Sequence, residues 1–161
     1  MITKIITLSS FIFILCCNNI ELVLEDNNSA QQLKNNIFVV MSGEKNERYN
    51  REIYSFFGSN KNSDYILTTL FNERKENRVV KKNQVAEKID YELSITYKLF
   101  YKNKECNILN KSIKTKFTFA PKSFGYNFGT DRSFERLYTS SIRNNIQKFI
   151  NSVPTNTECL K

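Results

Sequence analysis

Between Ile37 and Val153 the apolar residues recur at two different spacings, and each change of spacing marks an element. Ile37-Phe38-Val39-Val40-Met41 is a short apolar run of the kind that forms a buried strand, and Ser42-Gly43 ends it. Asn46 can cap a following helix, with Glu47 in its first turn. Tyr49, Ile53, Phe56 and Phe57 then fall on one helical face, and Gly58 closes the helix. Three strand patterns follow. In the first, Tyr65, Leu67, Thr69 and Phe71 share a face. In the second, Ile89, Tyr91, Leu93, Ile95, Tyr97, Leu99 and Tyr101 alternate with Asp90, Glu92, Ser94, Thr96, Lys98 and Phe100, a period that no helix can use to bury one side. In the third, Leu109, Ile113, Thr115, Phe117 and Phe119 oppose Asn110, Ser112, Lys114, Lys116 and Thr118. Lys102-Asn103-Lys104 fits the turn between the last two strands, and Lys75 to Glu87 reads as a longer basic connection between the first two. Phe124 to Thr130 reads as an irregular aromatic connection. Asp131 can cap a closing helix with the stripe Phe134, Leu137, Tyr138, Ile142, Ile146, Phe149, Ile150 and Val153, which Pro154 ends.

The order β-α-β-β-β-α predicts an α+β two-layer sandwich, with two helices packed on one face of a mainly antiparallel sheet. Tyr91, Leu93, Ile95, Tyr97 and Leu99 are expected in its core, because aromatics at period two against a helix pair are packing residues far more often than ligand platforms.

The first residues have a different character. Lys4 precedes an apolar stretch, Ile5 to Leu15, that is too short for a membrane span and reads as a secretory signal. Ile14-Leu15-Cys16-Cys17 resembles a bacterial lipoprotein signal, with Cys17 as the lipidated residue and therefore a membrane anchor. Residues 1–17 form the signal, 18–35 a polar tether, 36–153 the domain and 154–161 a polar tail. Asn18, rather than aspartate, after the anchor favours the outer membrane. Cys106 and Cys159 could pair in an oxidising periplasm, but one pair of cysteines is no disulfide framework, and the expectation leans towards two unpaired residues.

Composition narrows the chemistry. None of the 161 residues is histidine, which excludes Ser-His-Asp and Cys-His nucleophiles and imidazole-held zinc within this chain. Asp90 and Glu92 show no acid–base spacing, and Cys106 has no histidine partner, so no catalytic residues, metal site or cofactor are expected. The formal charge is +8. From Arg74 to Lys122 there are 13 basic and 5 acidic residues, so this one stretch carries the whole surplus and the rest is neutral. A localised surplus implies a polyanionic partner: a phosphorylated lipid, nucleic acid or an acidic protein surface. Any one of these lysines, taken alone, is a solvated strand residue; the clustering is what carries the inference.

The chain is similar to the lipopolysaccharide-assembly lipoprotein LptE in its alphaproteobacterial form, over about residues 36–153. The features that carry the resemblance, in order, are the strand Ile37–Met41, the charged helix Glu47-Arg48-Tyr49-Asn50-Arg51-Glu52-Ile53, the strand Tyr65-Ile66-Leu67-Thr68, the long alternating strand Tyr91 to Leu99, the aromatic segment around Tyr126, and the closing helix around Ile142-Arg143-Asn144-Asn145-Ile146. The resemblance implies a non-catalytic component of the outer membrane, on its periplasmic side, that complexes with and stabilises the LptD β-barrel and binds lipopolysaccharide. Phosphate-rich lipid A suits Lys and Arg. The residues expected to contact it are Arg74, Arg78, Lys81 and Lys82 at one strand end, and Lys98, Lys114 and Lys116 on the sheet face opposite the helices. Two other readings compete. One is a different envelope lipoprotein, such as a lipid-binding accessory of a transporter. The other is a basic nucleic-acid-binding domain, supported by interleaved aromatics but opposed by the export signal. No nucleic-acid partner is expected.

Overall fold

The computed structural model describes residues 33–80, 86–121, 128–154 and residue 159. The signal segment with Cys17, Lys81 and Lys82, most of the aromatic connection and most of the tail lie outside the described residues. The elements are β1 (Ile37–Gly43), α1 (Glu47–Phe57), β2 (Tyr65–Val80), β3 (Ala86–Tyr101), β4 (Cys106–Phe119) and α2 (Phe128–Ile150). A four-stranded sheet has the order β1-β2-β3-β4. β1 runs parallel to β2, with α1 as the crossover, and the other two pairs are antiparallel. Both helices lie on one face, so the expected α+β sandwich is the fold of this chain, its sheet mixed by one parallel pair.

Local chemistry sets the elements. The Asn46 side chain accepts from the Tyr49 backbone N–H at 3.0 Å and caps α1. Gly58 ends α1 at φ 68°, where a Cβ would stand 2.9 Å from Asn35 Oδ1. Gly43 closes β1 at φ 89°, and a Cβ there would meet the Phe71 carbonyl oxygen at 2.8 Å. Asn36 ties the starts of the parallel pair together: its Nδ2 donates to Asp64 Oδ2 at 3.0 Å, and the Asp64 N–H donates back to its Oδ1 at 2.9 Å. α2 starts at Phe128, so Asp131 lies in its first turn instead of capping it, where a carboxylate still opposes the helix dipole.

The core lies between the sheet and the helices. Tyr91, Leu93, Ile95, Tyr97 and Leu99 are all buried, as the alternation predicts. Their partners include Ile37 and Val39 of β1, Tyr49, Ile53 and Phe57 of α1, and Tyr138, Ile142, Ile146 and Phe149 of α2. Phe149 stacks on Tyr97 with centroids 4.4 Å apart, and Tyr91 stacks on Phe117 at 4.9 Å. Leu137, expected in the α2 stripe, is exposed, while the polar Asn145 is fully buried. Asn145 Oδ1 accepts from the Tyr97 hydroxyl at 3.0 Å, and its Nδ2 donates to the Ile113 carbonyl at 2.9 Å and Thr115 Oγ1 at 3.3 Å. One helix side chain thus bonds to both β3 and β4. Leu33, within the stretch read as a tether, packs into the core.

Two expectations are corrected. The residues from Lys75 to Glu87 are not chiefly a loop. β2 and β3 continue through Val80 and from Ala86, pairing Arg74 with Glu92 and Glu76 with Asp90. Arg74 opposite Glu92 and the diagonal contact of Arg78 with Asp90 bring opposite charges together across this polar arm, and Arg78 offsets the like pair of Glu76 and Asp90. Cys106 and Cys159 are joined in a disulfide with Cα atoms 5.6 Å apart, because the 3-10 turn Lys102–Lys104 and Glu105 in a left-handed conformation bring the start of β4 beside the chain end.

Candidate polyanion-binding face

No described element covers the sheet face opposite the helices. The strand register lays this face out in rows. Near the start of β2 it is apolar, with Phe38, Val40, Ile66, Leu70 and Phe100, and Leu70 is 40% exposed. Towards the β2–β3 arm it is charged. Glu92 stands between Arg74 of β2 and Lys116 of β4, one row beyond Ser94 and Lys114.

Period two puts Arg74, Lys98, Lys114 and Lys116 on this face, and all four are exposed. The fold gathers only some of the predicted residues. Arg74, Arg78 and Lys116 line a shallow cavity of about 420 Å³ together with Glu76, Asp90 and Glu92. Lys114 adjoins it through Glu92. Lys98 stands six positions further along β3 from Glu92, roughly 20 Å away at strand rise.

The gathered cations are not bare. Lys116 Nζ lies 2.8 Å and Lys114 Nζ 3.2 Å from the Glu92 carboxylate. Arg74 pairs with Glu76 at 2.5 Å, and Arg78 with Asp90 at 3.3 Å. Five cations, Lys98 included, face three carboxylates, which leaves a modest positive excess. Exposed pairs of this kind are weak, typically under about 1 kcal/mol, so a multivalent anion can displace the carboxylates. Sequence reasoning placed Asp90 and Glu92 on the polar face but missed that they partner the cations; the signal for Glu92 is the opposite charge at both facing positions, Arg74 and Lys116, whereas Asp90 faces Glu76 and Thr118 and meets Arg78 only on a diagonal.

Lys116, and then Lys114, hold the Glu92 carboxyl below the usual carboxylate range, and Glu92 raises Lys116 in turn. The stability this lowered carboxyl contributes is present above the ordinary carboxylate pKa, about 4.3, and is lost as pH falls through its lowered value. We expect wild type to be more stable than Glu92→Gln at pH 7 and the two to converge under strong acid. Chemical denaturation across pH 2–7 checks this, and a gap that persists at pH 2 contradicts it.

On the far side of the arm, Lys75 sits 5.7 Å from the Tyr91 ring centroid, a cation–π contact that takes it away from the charged face. Tyr138 of α2 connects the layers, since its hydroxyl accepts from Asn46 Nδ2 at 2.7 Å and donates to Glu73 of β2. Burial is the main cause that pushes this phenol up, and Glu73 adds to it. Among the described residues no group of three His, Cys, Asp or Glu side chains is placed to hold a metal ion, and no helix is long and apolar enough to cross a membrane.

No family model and no curated protein matches the chain. Solved structures do. A candidate lipoprotein from Caulobacter crescentus aligns with a TM-score of 0.55 at 13% identity, over 78% of this chain and 92% of that one. A minor lipoprotein from Acinetobacter baumannii aligns at 0.50 and 13%, over 75% and 92%. An uncharacterized lipoprotein B from Nitrosomonas europaea aligns at 0.50 and 10%, over 74% and 86%. The fold of this chain is therefore one found among bacterial lipoproteins.

Proposed function

We propose that this chain is an envelope lipoprotein of lipopolysaccharide assembly, similar to LptE, which sits with an LptD-like outer-membrane barrel, binds lipopolysaccharide and is anchored through Cys17. The observation that carries this is the uncovered sheet face. It is apolar at one end and bears Arg74, Arg78, Lys114 and Lys116 at the other, a division that suits a ligand with both acyl chains and phosphates. The lipoprotein fold supports the envelope setting. So does the disulfide, because such bonds persist in oxidising compartments such as the periplasm.

Purification from native membranes in mild detergent, with mass identification of companions and of the N-terminus, tests partner and anchor together. An LptD-type barrel and a diacylated Cys17 are expected. An inner-membrane transporter with no barrel overturns the reading. Contact with the ligand is tested separately. Reversing Lys114 and Lys116 to glutamate weakens binding of purified lipopolysaccharide by about tenfold or more, because two positive charges become negative. Glu92→Gln, which frees both lysines, strengthens it about threefold. Unchanged affinity in both variants removes these residues from the contact.

A further inference from the structure

The helices carry a second concentration of cations, on the layer opposite the uncovered face. Arg48 Nε donates to Glu135 at 2.8 Å, and Arg143 Nε donates to Glu52 at 2.7 Å. These pairings advance in the same sense along α1 and α2, so the two ion pairs bracket a cleft between the helices. The cleft, about 470 Å³, is walled by Arg51 on one side and by Arg136, Thr139, Ser140 and Arg143 on the other, with Glu52 and Glu135 at its ends. Positions 136, 139, 140 and 143 follow the i, i+3, i+4, i+7 pattern of a single helix stripe.

The charges there do not balance. Four guanidiniums meet three carboxylates: Glu135 and Glu52 are already gripped by Arg48 and Arg143, and Glu47 stands one turn before Arg51 on α1, outside the cleft. Among the described residues the Arg51 and Arg136 side chains make no hydrogen bond or ion pair, although the charge of Arg51 reaches Glu135. Two guanidinium forks that hold no carboxylate stand beside two hydroxyls, a donor set in excess of the acceptors that line the cleft. Guanidinium forks bind planar or tetrahedral oxyanions through paired N–H groups, which a lysine ammonium cannot reproduce. A phosphate monoester has three free oxygens, enough for both forks and a hydroxyl, whereas a carboxylate has two.

We propose that the α1–α2 cleft is a phosphate-monoester site, in which Arg51 and Arg136 grip the oxyanion and Thr139 and Ser140 donate to it. The site uses neither the sheet face nor a barrel, so it stands or falls independently of the lipopolysaccharide reading. The phosphate is either that of a small soluble ester or that of a lipid headgroup.

Amide NMR titration of the full chain with inorganic phosphate, at constant ionic strength against chloride, reads the site. Saturable shifts are expected at Thr139 and Ser140. Arg51→Ala with Arg136→Ala raises the midpoint about tenfold or more, the corresponding lysine pair raises it about threefold, and Lys114→Ala with Lys116→Ala leaves it within about twofold. Non-saturating shifts, or an unchanged midpoint in the Arg51/Arg136 alanine pair, overturn the site. Flotation with vesicles of phosphatidylcholine, with and without phosphatidic acid, separates the sources. Acid-dependent flotation that the alanine pair abolishes assigns a headgroup. Flotation insensitive to that pair, with phosphate binding lost, assigns a soluble ester.

Discussion

Reducing the bond between Cys106 and Cys159, or replacing both cysteines by serine, lowers the unfolding midpoint by about 15 °C. The cysteines are 53 residues apart, and the cross-link encloses all of β4 and α2. Closing a loop of that length removes enough unfolded-chain entropy to stabilise the fold by about 4 kcal/mol, and a domain of this size shifts by about 4 °C per kcal/mol. Thermal unfolding followed by circular dichroism, with and without reductant, measures it. A shift below about 3 °C would mean that native contacts near the end of α2 hold the chain terminus without the bond.

Asn145→Ala costs about 3 kcal/mol, or about 12 °C. The side chain is fully buried and serves three groups: the Tyr97 hydroxyl, the Ile113 carbonyl and the Thr115 hydroxyl. Alanine leaves these polar groups in an apolar layer, and each orphan costs roughly 1–3 kcal/mol. The Tyr97 hydroxyl loses most, since burial already pushes its pKa well up and the ring is held by stacking on Phe149. The coupling is testable in a double-mutant cycle. Tyr97→Phe removes one orphan in advance, so Asn145→Ala is less costly in that background by about 1 kcal/mol or more. Strict additivity would show that the hydrogen bond between the two residues contributes nothing.

The sequence showed different parts of this protein with unequal clarity. β3 was plain because its seven inward residues alternate without a fault, and α1 because Asn46, its apolar face and Gly58 agree. The arm was not, because Arg74-Lys75-Glu76-Asn77-Arg78 offers no apolar face, and it becomes a strand beside β3, where Glu92 faces Arg74, Tyr91 lies under Lys75 and Asp90 meets Arg78. The basic stretch was legible as charge, but charge alone conceals that most of its gathered cations already hold carboxylates. Asn145 reads as a surface residue, since nothing in a helix stripe announces a buried amide. The cleft arginines alternate with glutamates as they would on any solvated helix, and only the pairing of Arg48 and Arg143 leaves Arg51 and Arg136 over. The disulfide depends on where the chain end returns, which no spacing encodes.

The position of β4 has a consequence for association. It is a 14-residue strand at the margin of the sheet, with no described strand on its outer side; Asn145 holds its Ile113 carbonyl, and the rest of that edge is where an extended chain can pair. Lys111, Lys114 and Lys116 stand along that margin, all exposed. Two copies meeting edge to edge bring these lysines together, so self-pairing is opposed at low salt and eased as salt screens the repulsion. An approaching strand with acidic residues at matching positions meets no such barrier, and the same three lysines that keep the protein from joining itself would select for it.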